Sequence, residues 1–153
     1  MTDAAARPPT AFLPPHLRAV PYVGARCPGS RAVAERPGLD AGANCQLYAY
    51  AVLAHFGLTA PPLRSSDLWA DDSTVRVTAP RPLDLLLFNA TDDAYGAHVG
   101  VWVAPESVLH LCAEVGRPAL WTPADFAARE RYRHLVGIKR VTTAGEGGSP
   151  AHP

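Results

Sequence analysis

The sequence predicts an α+β fold in which one buried helix packs on an antiparallel sheet of about five strands. Residues 44–57 form a helical segment that is apolar nearly all round, as expected for a helix in the core. Residues 98–103 and 107–115 read as strands joined by a three-residue loop, which predicts a hairpin. A second helix from Thr122 is inserted before the last strand, and short connections throughout favour antiparallel pairing.

Length and composition predict one globular domain. The chain has 153 residues, of which 48% are hydrophobic and 18% charged. Lys plus Arg and Asp plus Glu number 14 each, so no net charge favours nucleic acid or an anionic membrane as a partner. We therefore expect a small-molecule or peptide substrate, no nucleic acid and no membrane. The sequence carries no signal for an oligomeric state.

The two ends differ in composition from the middle of the chain. Residues 1–20 are rich in proline and predict an extended arm, while residues 142–153 resemble a disordered tail. The catalytic domain is accordingly expected over residues 21–141.

The cysteines and the N-terminus predict a cytoplasmic protein. Cys27, Cys45 and Cys112 form neither a disulfide framework nor a zinc-binding spacing, and unpaired thiols suit a reducing compartment. The first residues lack a signal-peptide pattern, and no apolar run approaches the roughly 20 residues needed to span a bilayer. Secretion by another route stays open.

The limits of the helices follow from capping residues. Asn44 is a good N-cap and Gly57 a good C-terminal residue for the first helix. Thr122 with Asp125 predicts a variant capping box at the start of the second, with a proline at its first position. Apolar strands are expected at residues 81–88 and 134–141, besides the two of the hairpin.

Cys45 lies in the first turn of the buried helix, where a nucleophile would be favoured. Free backbone N–H groups and the positive end of the helix dipole both favour a thiolate there, and the same groups can bind an oxyanion. A small buried apolar cysteine is the structural alternative.

His98 and His110 strengthen the catalytic interpretation of Cys45. A loop over residues 104–106 places His110 opposite Gly100 and diagonal to His98, on one face of the sheet. A register shifted by one pair places the two histidines directly opposite each other. A cysteine at a helix N-terminus, a histidine base and a second polar ring that orients it form a cysteine nucleophile system. The apolar strand should keep His98 neutral and basic near pH 7.

The chain resembles the NlpC/P60 group of papain-like cysteine peptidases. The matching segments are PYVGA (21–25), NCQLYAYAV (44–52), LDLLLF (83–88), AHVGVWV (97–103) and VLH (108–110). The resemblance implies Cys45 as nucleophile, His98 as general base and His110 as the orienting residue, with no cofactor. Tyr22 matches the tyrosine that lines the nucleophile and assists the oxyanion site.

Three departures from the family pattern concern substrate recognition. Asn44, Gln46 and Leu47 stand where peptidoglycan-cleaving members have D-C-S-G around the nucleophile, so the carboxylate that holds a substrate amine is replaced. The W-G-G after the tyrosine is missing, and Leu83 replaces the glycine before Asp84. Trp102 shares the face of His98, and with Tyr22, Asn44 and Gln46 it completes the candidate substrate and oxyanion residues.

The sequence leaves three functions open. The first is hydrolysis of an amide in a small peptide, a murein fragment or an amide metabolite through a Cys45 thioester. The second is acyl transfer or amide formation through the same thioester, with an amine in place of water. The third is a non-catalytic binding or assembly module. Zinc bound by the two histidines and a carboxylate needs more assumptions than a cysteine nucleophile, so no metal is expected.

Overall fold

The computed structural model describes residues 12–142, which form five helices, six strands and two short 3₁₀ turns. The helices are α1 (Pro15–Arg18), α2 (Arg31–Glu35), α3 (Cys45–His55), α4 (Ser65–Ala70) and α5 (Pro123–Ala127). The strands are β1 (Val75–Val77), β2 (Leu85–Asn89), β3 (His98–Ala104), β4 (Ser107–His110), β5 (Ala119–Trp121) and β6 (His134–Arg140). The 3₁₀ turns cover Leu39–Ala41 and Glu130–Tyr132.

The six strands form one sheet in the order β1-β6-β2-β3-β4-β5, and every neighbouring pair is antiparallel. This arrangement confirms the α+β class and the antiparallel sheet. The sheet has six strands instead of about five because β1 and β5 have only three residues each, too few for a readable alternation.

Both ends of α3 are capped as the sequence predicts. The side-chain oxygen of Asn44 accepts a hydrogen bond of 2.8 Å from the amide of Leu47. At the other end Gly57 has a φ of +90°, and the amide of Leu58 donates to the carbonyl of Leu53 over 2.9 Å. This pattern is a Schellman motif, which needs a residue that tolerates positive φ.

The two faces of the sheet pack against different partners. Helix α3 covers the first face, where its buried residues meet Leu85, Leu87, Val99 and Val101. The second face is aromatic, and its buried side chains include Phe88, Val108, Trp121, Phe126 and Tyr132. The side chains of β3 therefore alternate between an aliphatic core and an aromatic one.

The β3–β4 hairpin adopts the first of the two expected registers. Val101 pairs with Leu109 and Trp102 with Val108, which places Gly100 opposite His110. The turn is tighter than expected, with Pro105 and Glu106 alone between the strands.

Several expected boundaries are wrong. Residues 15–18 form α1, and Leu13, Leu17 and Val20 are buried in the first core, so the second half of the expected extended arm belongs to the domain. A proline is accepted at the first position of a helix, which is where Pro15 lies. The first half of the arm and residues 143–153 of the expected tail lie outside the described residues.

Two further elements are shorter than the sequence predicts. The strand expected over residues 107–115 ends at His110, because the chain turns towards Gly116, whose φ is +85°. The helix expected from Thr122 keeps its capping box with Asp125 but ends at Ala127. Helix α4 lies between α3 and β1, in a segment for which the sequence predicts no element.

Asp84 anchors the start of β2. Its carboxylate accepts two hydrogen bonds from Arg140, of 2.9 and 2.8 Å, and one of 2.8 Å from the amide of Arg81. The preceding residue, Leu83, has a φ of +79°, the left-handed conformation that favours glycine. The position is therefore one for which glycine is the unstrained choice.

α3 is the longest helix in the described chain, with 11 residues. Among residues 12–142, none of the helices combines the length and the apolarity that crossing a membrane requires.

Gly100 is required by the close approach of β4. A Cβ atom built on it would lie 2.6 Å from Cγ1 of Val108 and 3.4 Å from Cβ of His110. We predict that Gly100→Ala lowers the free energy of unfolding by about 1–3 kcal/mol, measured by urea denaturation. In a Val108→Ala background the same change should cost less, because the clashing methyl is gone. An equal cost in both backgrounds would contradict this explanation.

Candidate active site

Cys45 is the first residue of α3, and a buried arginine fixes the loop that leads to it. Arg26 is 5% exposed, and its guanidinium donates to the carbonyls of Gly42, Ala32, Arg36 and Gly38 over 2.6 to 3.1 Å. The carbonyl of Arg26 accepts a bond of 2.9 Å from the amide of Asn44. Sequence reasoning missed Arg26, since a single arginine in a loop gives no sign of burial.

Burial and local hydrogen bonds act on the Cys45 thiol in opposite directions. Burial raises its pKa, while backbone hydrogen bonds from Val99, Gln46 and Cys45 itself lower it, and the resulting pKa is about 11. The backbone N–H groups at the helix N-terminus do favour the thiolate, as expected, but they do not outweigh burial in the free protein. Desolvation is the larger effect, so Cys45 carries its proton at neutral pH.

His98 and His110 form a buried hydrogen-bonded pair. Nε2 of His98 lies 2.9 Å from Nδ1 of His110, and the two rings are nearly perpendicular at an interplanar angle of 88°. His98 is 8% exposed and His110 1%. The sequence predicted that the pair would meet across the hairpin, and the observed register brings this about. If Nε2 of His98 donates this bond, Nδ1 of His98 is the ring nitrogen that can accept another proton.

An aromatic layer encloses the histidine pair. The ring centroid of Phe126 lies 6.0 Å from that of His98 and 4.7 Å from that of His110. Tyr132 contacts His98 at 4.7 Å, and Trp121 contacts His110 at 4.3 Å. Sequence reasoning assigned none of Phe126, Tyr132 and Trp121 to the site. The aromatic layer consequently shields the histidine pair from water more than the sequence predicted.

The dry surroundings keep both imidazoles neutral. Burial, with a smaller contribution from Arg131, lowers the pKa of His98 to about 3. Burial also lowers the pKa of His110 well below its usual value, helped by His98 and Arg129. The lowered pKa agrees with the expectation that His98 is neutral. It does not agree with the expectation that His98 is a base whose pKa lies near pH 7. The environment makes His98 a weak base.

The structure brings Cys45 to the backbone of β3 beside His98. Helix α3 packs on the first face of the sheet, whereas the two histidines lie with the aromatic residues of the second. The Cys45 thiol meets the backbone amide of Val99, the residue after His98. Within residues 12–142, no hydrogen bond joins this thiol to the ring of His98. The thiol and the imidazole thus approach the start of β3 from different sides.

The expected substrate and oxyanion residues are distributed unevenly around Cys45. Tyr22 pairs with Ala43, two residues before Cys45, and its pKa is raised by burial and by the nearby Cys45. The side-chain oxygen of Asn44 is taken up by the helix cap. Gln46 is 3% exposed, and its Oε1 has no hydrogen-bond partner among the described residues.

Trp102 lies away from the histidine pair. It is four residues further along β3 than His98, or about 13 Å along an extended strand. It lines an apolar groove of about 400 Å³ that Leu86, Phe88, Tyr132 and Ile138 also line. Tyr132 is shared between this groove and the surroundings of His98, so the groove borders the aromatic layer.

The part of the chain that the structure describes contains no group of three or more His, Cys, Asp or Glu side chains that could hold a metal ion. A comparison with protein-family models finds no match, and a comparison with curated proteins finds none either.

The low pKa of His98 predicts a loss of stability in acid. The folded protein leaves His98 unprotonated down to about pH 3, whereas the unfolded chain binds that proton near pH 6.5. The stability that the folded protein gains by holding His98 neutral is therefore fully present above pH 6.5 and is lost as the pH falls towards 3. Between pH 7 and 4, we expect wild type to lose about 3 kcal/mol more than His98→Gln, measured by urea denaturation.

His134→Gln is the matched control, because this ring is exposed in the folded chain. This variant should keep the pH dependence of wild type. Identical pH profiles for wild type and His98→Gln would show that His98 is not held neutral by burial.

Proposed function

We propose that the protein is a cysteine-nucleophile hydrolase of an amide bond, with Cys45 as nucleophile, His98 as base and His110 as the residue that orients it. The observation that carries this proposal is the 2.9 Å bond between His98 and His110, formed one residue from the amide that meets the Cys45 thiol. Covalent catalysis by cysteine requires a nucleophile, a base and a group that orients the base, and the His98–His110 bond supports the last two of these roles. The substrate is a small peptide, a murein fragment or another amide metabolite.

The proposed reaction begins from a neutral thiol and a neutral imidazole. As Cys45 Sγ attacks the carbonyl carbon, its proton passes to Nδ1 of His98. The backbone N–H groups near the sulfur stabilise the oxyanion. The carbon–nitrogen bond then breaks, and His98 returns the proton to the leaving amine. Water attacks the Cys45 thioester with His98 again as base, which releases the carboxylic acid and restores the thiol.

Proton transfer must accompany the attack in this scheme, since the pKa values of Cys45 and His98 do not favour an ion pair in the empty site. Catalytic hydrogen bonds in free enzymes are commonly longer than those in substrate complexes. A bound substrate covers the start of β3 and places its carbonyl between the thiol and the ring.

The orienting role of His110 depends on its tautomer. For Nδ1 of His98 to be free, Nε2 of His98 must carry the hydrogen and donate it to Nδ1 of His110. His110 then carries its own hydrogen on Nε2, which is buried without a hydrogen-bond partner among the described residues. The ring of Trp121, at 4.3 Å between centroids, can accept this N–H as a π acceptor.

A papain-like domain of the NlpC/P60 type is the architecture that we propose for this chemistry. Support comes from a Cys-bearing helix packed on an antiparallel sheet and from the histidine pair on adjacent strands. The positive φ of Leu83 adds to it, because the family pattern has glycine at this position. A leucine that replaced a glycine at this position would keep the positive φ and be strained by it.

Acyl transfer to an amine is the second candidate, favoured by the aromatic layer around His98. A dry pocket protects a thioester from water and lets an amine compete for it. The two reactions share the same thioester and differ in the acceptor.

Turnover of amides tests the proposed hydrolase. With a panel of dipeptides and aminoacyl anilides, Cys45→Ala should lower kcat/KM at least about a thousandfold, because no thioester can form. His98→Gln should lower it by about 10²- to 10⁴-fold through loss of the base. Cys112→Ser is the matched control, a second buried cysteine that the reaction does not use.

The products separate the candidate functions. In H₂¹⁸O, hydrolysis places ¹⁸O in the released carboxylate, whereas transfer gives a new amide with an added amine. A panel that yields neither turnover nor an acyl adduct on Cys45 by mass spectrometry would reject both, and the protein would be a binding module.

A further inference from the structure

The rim of the candidate site carries an arginine that forms no salt bridge within residues 12–142. The guanidinium of Arg131 lies over the ring of Tyr132, 5.4 Å from its centroid, and Tyr132 in turn contacts His98 at 4.7 Å. Arg131 is exposed and forms no salt bridge within residues 12–142. Its charge is therefore available to a ligand that reaches the site.

The neighbouring arginines are engaged elsewhere. Arg129 donates three hydrogen bonds of 2.8 to 3.1 Å to Glu114 and stacks on Trp121. Arg133 donates to the carbonyl of Ala90 over 3.1 Å. All three arginines follow Thr122, where the sequence predicts the start of a helix. The structure separates them, because α5 ends at Ala127 and the chain continues as a 3₁₀ turn.

Arg131 acts on the groups around Cys45. The pKa of Glu114 is lowered mainly by its hydrogen bond with Arg129 and to a smaller extent by Arg131, and Arg131 opposes the rise that burial causes in the pKa values of Tyr22 and Tyr132. Cys45 acts on the same two tyrosines, so Tyr22 and Tyr132 lie within electrostatic reach of both the thiol and the guanidinium. Any carboxylate bound at Arg131 would accordingly lie beside Tyr132, whose ring contacts His98 at the strand end that the Cys45 thiol meets.

The carboxylate within electrostatic reach of Arg131 is that of Glu114, which is already paired with Arg129. The residues that flank Cys45, Asn44 and Gln46, are neutral. Both oxygens of Glu114 are held by Arg129, and the carboxylate of Asp125 accepts from the amide of Thr122. With His98 neutral as well, Arg131 is a cation at the mouth of the site that has no salt-bridge partner within residues 12–142.

We propose that Arg131 forms an anion subsite beside Cys45 and that the substrate is an amide with a free carboxylate close to the scissile bond. The claim about the substrate rests on the proposed function. The claim about the anion subsite does not, because the subsite is a property of the folded chain. A peptide C-terminus and an acidic side chain both offer this carboxylate.

The alkylation of Cys45 by a charged and a neutral reagent tests the subsite without any substrate. Iodoacetate carries a carboxylate next to its reactive carbon, whereas iodoacetamide has the same size without the charge. We would measure both rates on the full chain at pH 9 and low salt, reading modification of Cys45 separately from Cys27 and Cys112 by mass spectrometry. The ratio of the two rates cancels differences in the reactivity of the thiol.

Arg131→Gln should lower the ratio of iodoacetate to iodoacetamide rates about two- to fivefold, the range for one exposed ion pair. Arg133→Gln, a matched control in the same segment, should leave the ratio unchanged. Salt should reduce the ratio in wild type but not in Arg131→Gln, because an exposed charge is screened. An unchanged ratio in Arg131→Gln, or an equal loss in both variants, would overturn the proposal.

The source of the carboxylate and the proposed function are tested separately. Hydrolysis of aminoacyl-glycine in preference to aminoacyl-glycinamide points to a peptide C-terminus, and preference for an acidic side chain in a blocked peptide points to the other source. If no amide is turned over but the ratio of alkylation rates depends on Arg131, the hydrolase is rejected and the anion subsite is kept. Turnover that is equal for charged and uncharged amides would reject the subsite as a substrate determinant and keep the hydrolase.

Discussion

The hydrogen bond between His98 and His110, buried between the sheet and its aromatic layer, is the interaction on which the rest of the site depends. It requires the register of the β3–β4 hairpin, and that register brings β4 so close that Gly100 has no room for a side chain. It also requires a layer that covers both rings, which Phe126 and Tyr132 supply from the segment after β5. Three separate parts of the chain therefore converge on one pair of imidazoles.

Burial of this pair determines the chemistry that the site can perform. Two imidazoles in a dry layer cannot both be charged, and desolvation lowers the pKa of each. The same physical effect raises the pKa of Cys45 and outweighs the backbone hydrogen bonds around its sulfur. In the proposed catalysis the thiol and the imidazole are therefore both neutral at the start. Charge develops only as the thiol attacks the substrate carbonyl. A positive group at the rim, such as Arg131, gains importance in a site with so little charge of its own.

Local patterns in the sequence predicted the parts of the fold that depend on neighbours along the chain. Asn44 as an N-cap and Thr122 with Asp125 as a capping box follow from spacing and residue type, and the observed hairpin register is one of the two that the sequence left open. The meeting of His98 with His110 followed as well, because alternation places both on one face. The sequence could not show which face α3 covers or that Phe126 and Tyr132 return to the histidines, since these contacts arise from tertiary packing. Desolvation, which reversed the expected thiolate, is likewise a property of the packed site.

The protonation of His98 in solution tests the central claim most directly. In a ¹⁵N-labelled sample near pH 7, the chemical shifts of the two ring nitrogens distinguish a neutral ring with hydrogen on Nε2 from the other tautomer and from an imidazolium. The account predicts a neutral His98 with an unprotonated Nδ1 ready to accept the Cys45 proton, and a spectrum that stays unchanged as the pH falls to about 4. A hydrogen on Nδ1 at neutral pH, in either the other tautomer or an imidazolium, would contradict the assignment of His98 as the base.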